Sequence, residues 1–247
     1  MSKPLQGKVA IVTGASRGIG AAIAMRLADE GAAVAITYSS SASKAQDVLD
    51  AIHAKGGRAI AIQADSADAS ALQAAIAKAV SMLGRLDILV NNAGIALMGT
   101  VESISLEEFD RLLHINIRAI FVGIQEASKH MGEGGSIISI GSCTADRMPF
   151  PGGGAYAMSK AAIAALTRGL SRDFGPRGIT VNNVQPGPID TDMNPAEGRM
   201  SKGMKSATAL KAFGKSEDVA ALVAFLAGPE ARFVTGASLS IDGGFTA

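Results

Sequence analysis

The chain has 247 residues, 48% of them hydrophobic and 18% charged, and its formal net charge is +1 at pH 7. This composition supports a sizeable core and excludes a disordered chain, and a charge so close to zero gives no field that would attract nucleic acid or an anionic membrane. The single cysteine, Cys143, excludes an internal disulfide framework.

The amino terminus begins Met1-Ser2-Lys3-Pro4 and lacks the apolar segment of a signal peptide, and no apolar run has the length that spans a membrane. We therefore expect a cytoplasmic protein. Metal-ligating side chains do not occur at ligand spacing, so no metal is expected. Cys143 is expected to be a small buried hydrophobic residue rather than a nucleophile.

Short β-branched runs alternate with longer helical patterns along the chain, which is typical of βαβ units. The predicted strands are Val9–Thr13, Ala33–Tyr38, Arg58–Gln63, Leu86–Asn91, Ser136–Ile140, Thr180–Gln185 and Ser238–Asp242. The predicted helices are Gly20–Glu30, Ala42–Lys55, Asp68–Leu83, Leu106–Met131, Ala155–Phe174 and Ser216–Ala227. This order predicts an α/β, Rossmann-type doubly wound fold in which residues 1–247 form one domain. A seven-stranded, mostly parallel sheet would carry helices on both faces.

Residues 187–214 are predicted to be irregular, because prolines and glycines recur there. Long loops inside compact domains are usually functional, and ligands of such sheets bind at the carboxyl ends of the strands. We therefore expect this segment to be a substrate lid. The segment carries Met193, Met200 and Met204, and the loop before Tyr156 adds Met148 and Phe150. An apolar, adaptable pocket is one interpretation of these side chains, and filling of the core is the other. The basic residues of the segment, Arg199, Lys202 and Lys205, would meet an anionic substrate or simply solvate the loop.

Three glycines, Gly14, Gly18 and Gly20, lie between the first predicted strand and the first predicted helix. Glycine is needed in such a turn because a side chain would block the approach of the backbone to a pyrophosphate, and the following helix N-terminus attracts the phosphates. The spacing G-x-x-x-G-x-G differs from the commoner G-x-G-x-x-G, yet its strand–turn–helix context predicts a dinucleotide site.

The second predicted strand ends at Tyr38 and runs into Ser39 and Ser40, with no acid to bind a ribose 2′-hydroxyl as an NAD site usually has. Arg17 lies inside the glycine turn, where a guanidinium can hold a 2′-phosphate if it is not merely a solvated loop residue. Lys44 could add a hydrogen bond. NADPH is therefore expected rather than NADH.

Two further strand ends carry polar residues. Asp65 follows the third predicted strand, and it would either bind the adenine amino group or share the capping of the next helix with Ser66 and Asp68. Asn91-Asn92-Ala93-Gly94 closes the fourth strand, where asparagine side chains are expected to bond their own backbone in a sharp turn.

Tyr156 and Lys160 are four residues apart on a predicted helix and therefore share a face. A lone pair of this kind is usually a surface pair, but this tyrosine follows Ser142, which ends the fifth predicted strand. A nearby ammonium would lower the pKa of the tyrosine from its usual value of about 10 and suit it to acid–base work. Ser142 could then hydrogen-bond the oxygen of a substrate.

Together with Asn116 in Leu113-His114-Ile115-Asn116 and with Pro186-Gly187, these motifs resemble the short-chain dehydrogenase/reductase family over residues 7–245. The resemblance implies reduction of a carbonyl, a ketone or 3-oxoacyl compound, by hydride transfer. Its implied catalytic residues are Asn116, Ser142, Tyr156 and Lys160. Tyr156 would be the general acid in reduction, Lys160 would lower its pKa and hold the nicotinamide ribose, and Ser142 would orient the carbonyl. Asn116 would kink its helix and hold a relay water, a role compatible with a side chain satisfied by backbone.

The implied cofactor contacts lie along the whole chain and begin at the glycine turn. They are Gly14, Ser16, Arg17, Gly18, Ile19, Gly20, Tyr38, Ser39, Ser40, Asp65, Ser66, Asn92, Ala93, Gly94, Tyr156, Lys160, Pro186, Gly187, Ile189 and Thr191. The resemblance also implies a homotetramer, built through the predicted helices Leu106–Met131 and Ala155–Phe174, with Ala237–Ala247 at another subunit contact.

Two departures from the family pattern bear on the substrate. Ser142 precedes Tyr156 by 14 positions, one more than is usual in the family, so the loop Thr144–Gly154 is expected to be specialised. The resemblance is closest to bacterial ketoacyl-carrier-protein-reductase-like members, which often have a basic cluster before the fifth strand. This chain has Gly132-Glu133-Gly134-Gly135 at those positions, so Arg172 is the one basic residue that remains for docking an acidic carrier protein. This argues against a carrier-protein substrate.

A second resemblance supports a different class of function. Asp146-Arg147-Met148-Pro149 and the segment 186–192 are similar to a bacterial subgroup that includes cyclic-dinucleotide-binding mediators of biofilm dispersal. The alternative is therefore a nucleotide-binding regulatory protein on a reductase scaffold, and a specialised reductase of pterins, sugars or steroids is a third interpretation. The complete set of four catalytic residues favours an enzyme, because a binding module has no need of a poised tyrosine–lysine pair.

Overall fold

The computed structural model describes residues 3–198 and 201–247. Its strands are β1 (Val9–Val12), β2 (Ala33–Tyr38), β3 (Ala59–Gln63), β4 (Ile88–Asn91), β5 (Ser136–Ile140), β6 (Thr180–Pro186) and β7 (Ser238–Ile241). Its α-helices are α1 (Gly18–Asp29), α2 (Ala42–Ala54), α3 (Ala69–Leu83), α4 (Leu106–Leu113), α5 (Ala119–Ala127), α6 (Gly154–Phe174), α7 (Ser201–Ala207) and α8 (Ser216–Ala227). Short 3-10 turns cover Cys143–Ala145, Gly175–Arg177 and Pro229–Ala231.

The seven strands form one sheet in the order β3-β2-β1-β4-β5-β6-β7. Every paired neighbour is parallel. Helices α1, α2 and α8 pack on one face of the sheet, and α3, α5 and α6 pack on the other. Strands β1, β4 and β5 are buried at every position, because helices cover both of their faces. The predicted doubly wound fold is confirmed.

Strand order reverses between β1 and β4, which are paired through Ala10 and Ile88. The connections from β1 lead towards one edge of the sheet, and those from β4 lead towards the other. Loops at the carboxyl ends of β1 and β4 therefore diverge and leave a crevice, which is where open α/β sheets bind ligands. The fold places the predicted motifs around this crevice.

The predicted helix Leu106–Met131 is wrong as a single helix. A π-helical turn, His114–Arg118, separates α4 from α5, and α5 ends at Ala127. Such a turn holds one residue more than an α-helical turn and changes the direction of the side chains within it. The carboxamide of Asn116 is thereby directed at the backbone of Ile95.

The segment 187–214 is less irregular than expected, because it contains α7. The segment closes on itself at its base, where the Asp190 amide donates to the Gly214 carbonyl at 2.9 Å and the Gly214 amide donates to the Pro188 carbonyl at 2.9 Å. Arg199 and Met200, which the sequence assigns to the lid, lie outside the described residues.

Within residues 3–198 and 201–247, no helix combines the length and apolar character needed to cross a membrane. The same residues contain no group of three histidine, cysteine, aspartate or glutamate side chains placed to hold a metal ion.

Candidate active site

A cleft of about 730 Å³ lies at the carboxyl ends of the strands, across the reversal of strand order. Every residue predicted to contact a cofactor lines it, and so do Ser142, Tyr156 and Lys160. Asn116 does not line the cleft and is completely buried behind it. The structure therefore brings the predicted cofactor contacts and three of the four predicted catalytic residues together in one continuous cleft.

The glycine turn has the backbone conformation and the space that a dinucleotide needs. Gly14 and Gly18 have φ of 63° and 58°, a region that favours glycine. A Cβ added to Gly14 would lie 2.9 Å from the Cα of Ala93, and one added to Gly20 would lie 2.9 Å from the Cα of Ala15. The turn leads directly into the N-terminus of α1, where free amides attract phosphate. These residues fit a pyrophosphate.

Asn92 ties this turn to β4, although not in the predicted way. Its Nδ2 donates to the carbonyls of Thr13 at 2.9 Å and Gly14 at 3.0 Å, across the two strands rather than to its own backbone. The Thr13 hydroxyl accepts the amides of Asn92 at 3.0 Å and Ala93 at 3.1 Å. Four hydrogen bonds thus hold the two sides of the crevice at a fixed separation.

Charged side chains surround the expected ribose end of the cleft. The Asp192 carboxylate lies 3.0 Å from Lys44 Nζ and 3.7 Å from Arg17 Nη1. Lys44 and then Arg17 hold the pKa of Asp192 below its ordinary range, since both cations favour the carboxylate. Asp192 was not among the predicted site residues, because its partners lie far away in the sequence.

Asp65 does not cap α3, which removes one of its two predicted roles. Asp68 is the N-cap residue, and its carboxylate accepts the amides of Ser70 and Ala71. Asp65 instead accepts the Ala67 amide at 2.9 Å, and it lines the cleft.

Ser142 and Tyr156 meet at the chemical end of the cleft. Ser142, at the end of β5, is buried, and its Oγ accepts hydrogen bonds from the Thr144 amide at 3.2 Å and the Thr144 hydroxyl at 2.8 Å. Tyr156, in the first turn of α6, is half-buried. Burial raises the pKa of Tyr156, and a hydrogen bond with Ser142 opposes that rise only in part.

Lys160 lies one helical turn beyond Tyr156, with only 5% of its surface exposed. Its Nζ donates to the Ile140 carbonyl at 3.0 Å and lies 5.8 Å from the centre of the Tyr156 ring. Burial lowers the pKa of Lys160 to about 8, because the charged form loses its hydration. The expectation of a lowered Tyr156 pKa is therefore wrong for the chain alone, where burial of the phenol decides the direction of the shift. A lowering by Lys160 with the nucleotide bound stays a prediction.

Asn116 positions the segment that follows β4. Its Oδ1 accepts the Ile95 amide at 2.9 Å, and its Nδ2 donates to the Ile95 carbonyl at 3.0 Å and to the Ser159 hydroxyl at 3.1 Å. The buried amide of Asn116 is therefore satisfied by the backbone of Ile95 and by Ser159, and its bonds to Ile95 agree with the expectation of a side chain satisfied by backbone. Gly94 lies between this amide and Lys160, since an added Cβ would be 3.4 Å from Asn116 Oδ1 and 3.5 Å from Lys160 Nζ.

Part of the cleft is lined by side chains that the sequence did not predict. Phe245, near the carboxyl terminus, is buried and lines the cleft. Its ring centre lies 6.4 Å from that of Phe150, and Arg147 both donates to its carbonyl and lies over its ring. Met98 and Arg111 also line the cleft. No local motif marks these side chains, because only tertiary packing brings their segments together.

Cys143 is buried beside Ser142, as predicted. Burial raises the pKa of its thiol to about 12, so the thiol stays protonated and is a poor nucleophile at neutral pH.

The geometry agrees with the comparisons to known proteins. Residues 14–246 match the family described as Enoyl-(Acyl carrier protein) reductase. A short-chain dehydrogenase/reductase from Serratia marcescens BCRC 10948 is 58% identical in sequence, with a TM-score of 0.98 over 99% of this chain and 100% of that one. The chain belongs to the short-chain dehydrogenase/reductase family.

Two other relatives bear on the nucleotide. A short chain dehydrogenase from Burkholderia cenocepacia J2315, solved in complex with NADP, is 56% identical, with a TM-score of 0.98 over 99% of this chain and 100% of that one. The cyclic-di-GMP-binding biofilm dispersal mediator protein of Escherichia coli K12 is 49% identical over 241 residues, which cover 98% of each chain.

The buried ammonium predicts a specific pH dependence of stability without added nucleotide. Lys160 titrates near pH 8 in the folded chain and near its ordinary 10.5 in the unfolded chain. Between these pH values the unfolded chain binds one more proton than the folded chain. The free energy of unfolding of the wild type, measured relative to that of Lys160→Met, should therefore rise as the pH is raised. The slope is on the order of 1 kcal/mol per pH unit. Urea titrations of both proteins from pH 7 to 10 measure it, and curves that stay parallel throughout would contradict the assignment.

Proposed function

We propose that the protein is an NADPH-dependent reductase that converts a ketone or 3-oxoacyl-type carbonyl to an alcohol. The observation that carries this proposal is the placement of Ser142, Tyr156 and Lys160 in the same cleft as the glycine turn. One bound molecule can then lie with its phosphates at the turn and its nicotinamide beside the two hydroxyl groups. The relative solved with NADP supports the choice of nucleotide.

When bound, NADPH supplies the hydride that reduces the carbonyl carbon. The Ser142 and Tyr156 hydroxyls hold the carbonyl oxygen, and Tyr156 donates its proton to that oxygen. Because burial raises the pKa of Tyr156, the phenol is protonated at neutral pH, which is the form that a donor requires. The phenolate that remains lies near the Lys160 ammonium, whose attraction grows as that negative charge develops.

Asn116 and Lys160 act behind the reacting groups. Asn116 fixes the backbone of Ile95 at the edge of the cleft, and we assign to it the holding of a relay water as well. Lys160, with a pKa of about 8, can exchange a proton near neutral pH. Together they would return a proton to Tyr156 after each turnover.

The proposed substrate is a small or medium apolar carbonyl compound. Its pocket is lined by thioether and aromatic side chains, which adapt to apolar ligands; they are Met98, Met148, Phe150, Met193, Met204 and Phe245. We assign the segment 187–214 the role of lid, since its described residues form one side of that pocket. Arg111 supplies a cation at the pocket for a polar group of the substrate.

The preference for NADPH is proposed from the residues around the ribose end. Ser39 and Ser40 line the cleft after β2, and Arg17 lines the same cleft from the glycine turn. A guanidinium and hydroxyl groups suit a 2′-phosphate, whereas an NAD site usually has a carboxylate at the end of the second strand, where this chain has Ser39 and Ser40.

The proposed active form is a cytoplasmic homotetramer. The free thiol of Cys143 suits a reducing compartment. Leu106, Phe121 and Met158 lie on α4, α5 and α6 and are 81%, 50% and 43% exposed, which suits helices that pair with another subunit.

Replacement of the proton donor tests the mechanism. Tyr156→Phe keeps the ring and removes the hydroxyl, so oxidation of NADPH by ketones, diketones and ketoacyl thioesters should fall on the order of 10²- to 10⁴-fold. The fall in absorbance of NADPH measures the rate. Cys143→Ala is the matched control, because it removes the neighbouring protonated thiol and should retain most of the activity. Equal losses in both variants would contradict the assignment, and no turnover by the wild type across the panel would contradict the proposed reaction.

A second candidate function is the regulatory binding of a cyclic dinucleotide. It is favoured by the 49% identity to the biofilm dispersal mediator and by the cations at the mouth of the cleft, Arg17 and Lys44. Because such a ligand would use these cations, it should compete with NADPH. Calorimetric titration of cyclic di-GMP with and without saturating NADPH tests this. Binding that NADPH displaces would support the second function, and no detectable binding would exclude it.

A further inference from the structure

Three distant parts of the chain meet at the carboxylate of Asp192. Arg17 comes from the glycine turn, Lys44 from the first turn of α2, and Asp192 from the segment that follows β6. The carboxylate lies 3.0 Å from Lys44 Nζ and 3.7 Å from Arg17 Nη1. The side chain of Thr191, the residue before Asp192, lies close to the turn, since a Cβ added to Gly18 would lie 3.7 Å from Thr191 Cγ2.

In the proposed function Arg17 would hold the 2′-phosphate of NADPH, and Asp192 joins Arg17 to Lys44. Arg17 and Asp192 line the same cleft as Ser39 and Ser40, which follow β2. The three charged side chains are roughly half exposed, at 58% for Arg17, 48% for Lys44 and 61% for Asp192. Exposed pairs of this kind are weak and readily exchange partners.

The charges at this point are unequal. Two cations face one carboxylate, and the pKa of that carboxylate is held low by Lys44 and Arg17, so it is ionised at neutral pH. A phosphate monoester carries about 1.5 to 2 negative charges and attracts both cations more strongly than a carboxylate does. It would also be repelled by the Asp192 carboxylate, which lies beside the same two cations.

We propose that Asp192 is an internal anion that competes with the 2′-phosphate of NADPH for Arg17 and Lys44. It thereby limits how strongly the chain prefers NADPH to NADH and is a specificity-determining residue. The inference rests on the proposed use of NADPH. The charge of Asp192 acts only on ligands that carry the 2′-phosphate.

The test compares two adenosine ligands that differ in this phosphate, adenosine 2′,5′-bisphosphate and adenosine 5′-monophosphate. Calorimetry gives the dissociation constants for the wild type, for Asp192→Asn and for Asp190→Asn. The last is the matched control, since Asp190 lies in the same segment and its Oδ1 accepts the Ala196 amide, a bond that asparagine keeps. Both variants remove one negative charge from one exposed loop.

We expect Asp192→Asn to bind the bisphosphate roughly threefold to tenfold more tightly than the wild type does. The affinity of Asp192→Asn for the monophosphate should stay within about twofold of the wild-type value, which is the limit we set for no effect. The affinities of Asp190→Asn for the monophosphate and for the bisphosphate should stay within the same limit. The gain should shrink in 0.5 M salt, where the screening length falls to a few ångströms.

An unchanged or weaker affinity of Asp192→Asn for the bisphosphate would overturn the inference. So would an equal gain in Asp190→Asn, or an equal gain for the monophosphate. If the wild type itself binds the bisphosphate no more tightly than the monophosphate, the proposed preference for NADPH fails separately. A gain in Asp192→Asn would then still support the competition.

Discussion

The hydrogen bonds between the carboxyl ends of β1 and β4 are the constraint on which the rest of the site depends. They occur where strand order reverses, so the loops on either side diverge and would otherwise have no common support. The Thr13 hydroxyl accepts two amides from the Asn92 loop, and the Asn92 carboxamide donates to two carbonyls of the glycine turn. Gly14 has no side chain because Ala93 lies against it at this separation. This group of bonds therefore fixes the glycine turn relative to the loop after β4.

A buried cation is the second constraint, and it is unfavourable until an anion forms beside it. Within residues 3–198 and 201–247 the Ile140 carbonyl is the one hydrogen-bond partner of Lys160 Nζ, and burial lowers the pKa of Lys160 to about 8. Burial acts on Tyr156 in the opposite sense and keeps its phenol protonated. A proton donor with a buried cation nearby is thus set to gain electrostatic stabilisation during the reaction rather than before it.

Much of the fold follows from sequence pattern, because each strand is a short apolar run and each connection carries a helical repeat. The site's position follows from the glycine turn and the strand ends. Asn116 shows one limit of prediction from sequence, since a pattern of apolar residues every 3.6 positions does not reveal the extra residue of the π-helical turn in which Asn116 lies. Tyr156 shows a second limit, since the direction in which its pKa shifts depends on how deeply other segments bury the phenol. Asp192 and Phe245 reach the cleft from distant segments and carry no local signal.

The most direct test of the central claim follows a label from nicotinamide to product. NADPH deuterated at C4, prepared separately as each diastereomer, is incubated with the protein and a ketone, and the alcohol is examined by mass spectrometry. We expect one diastereomer to deliver one deuterium to the carbinol carbon and the other to deliver none, because a fixed cleft presents one face of the ring. Alcohol without deuterium from both diastereomers, or deuterium exchanged with solvent, would contradict direct hydride transfer in this cleft.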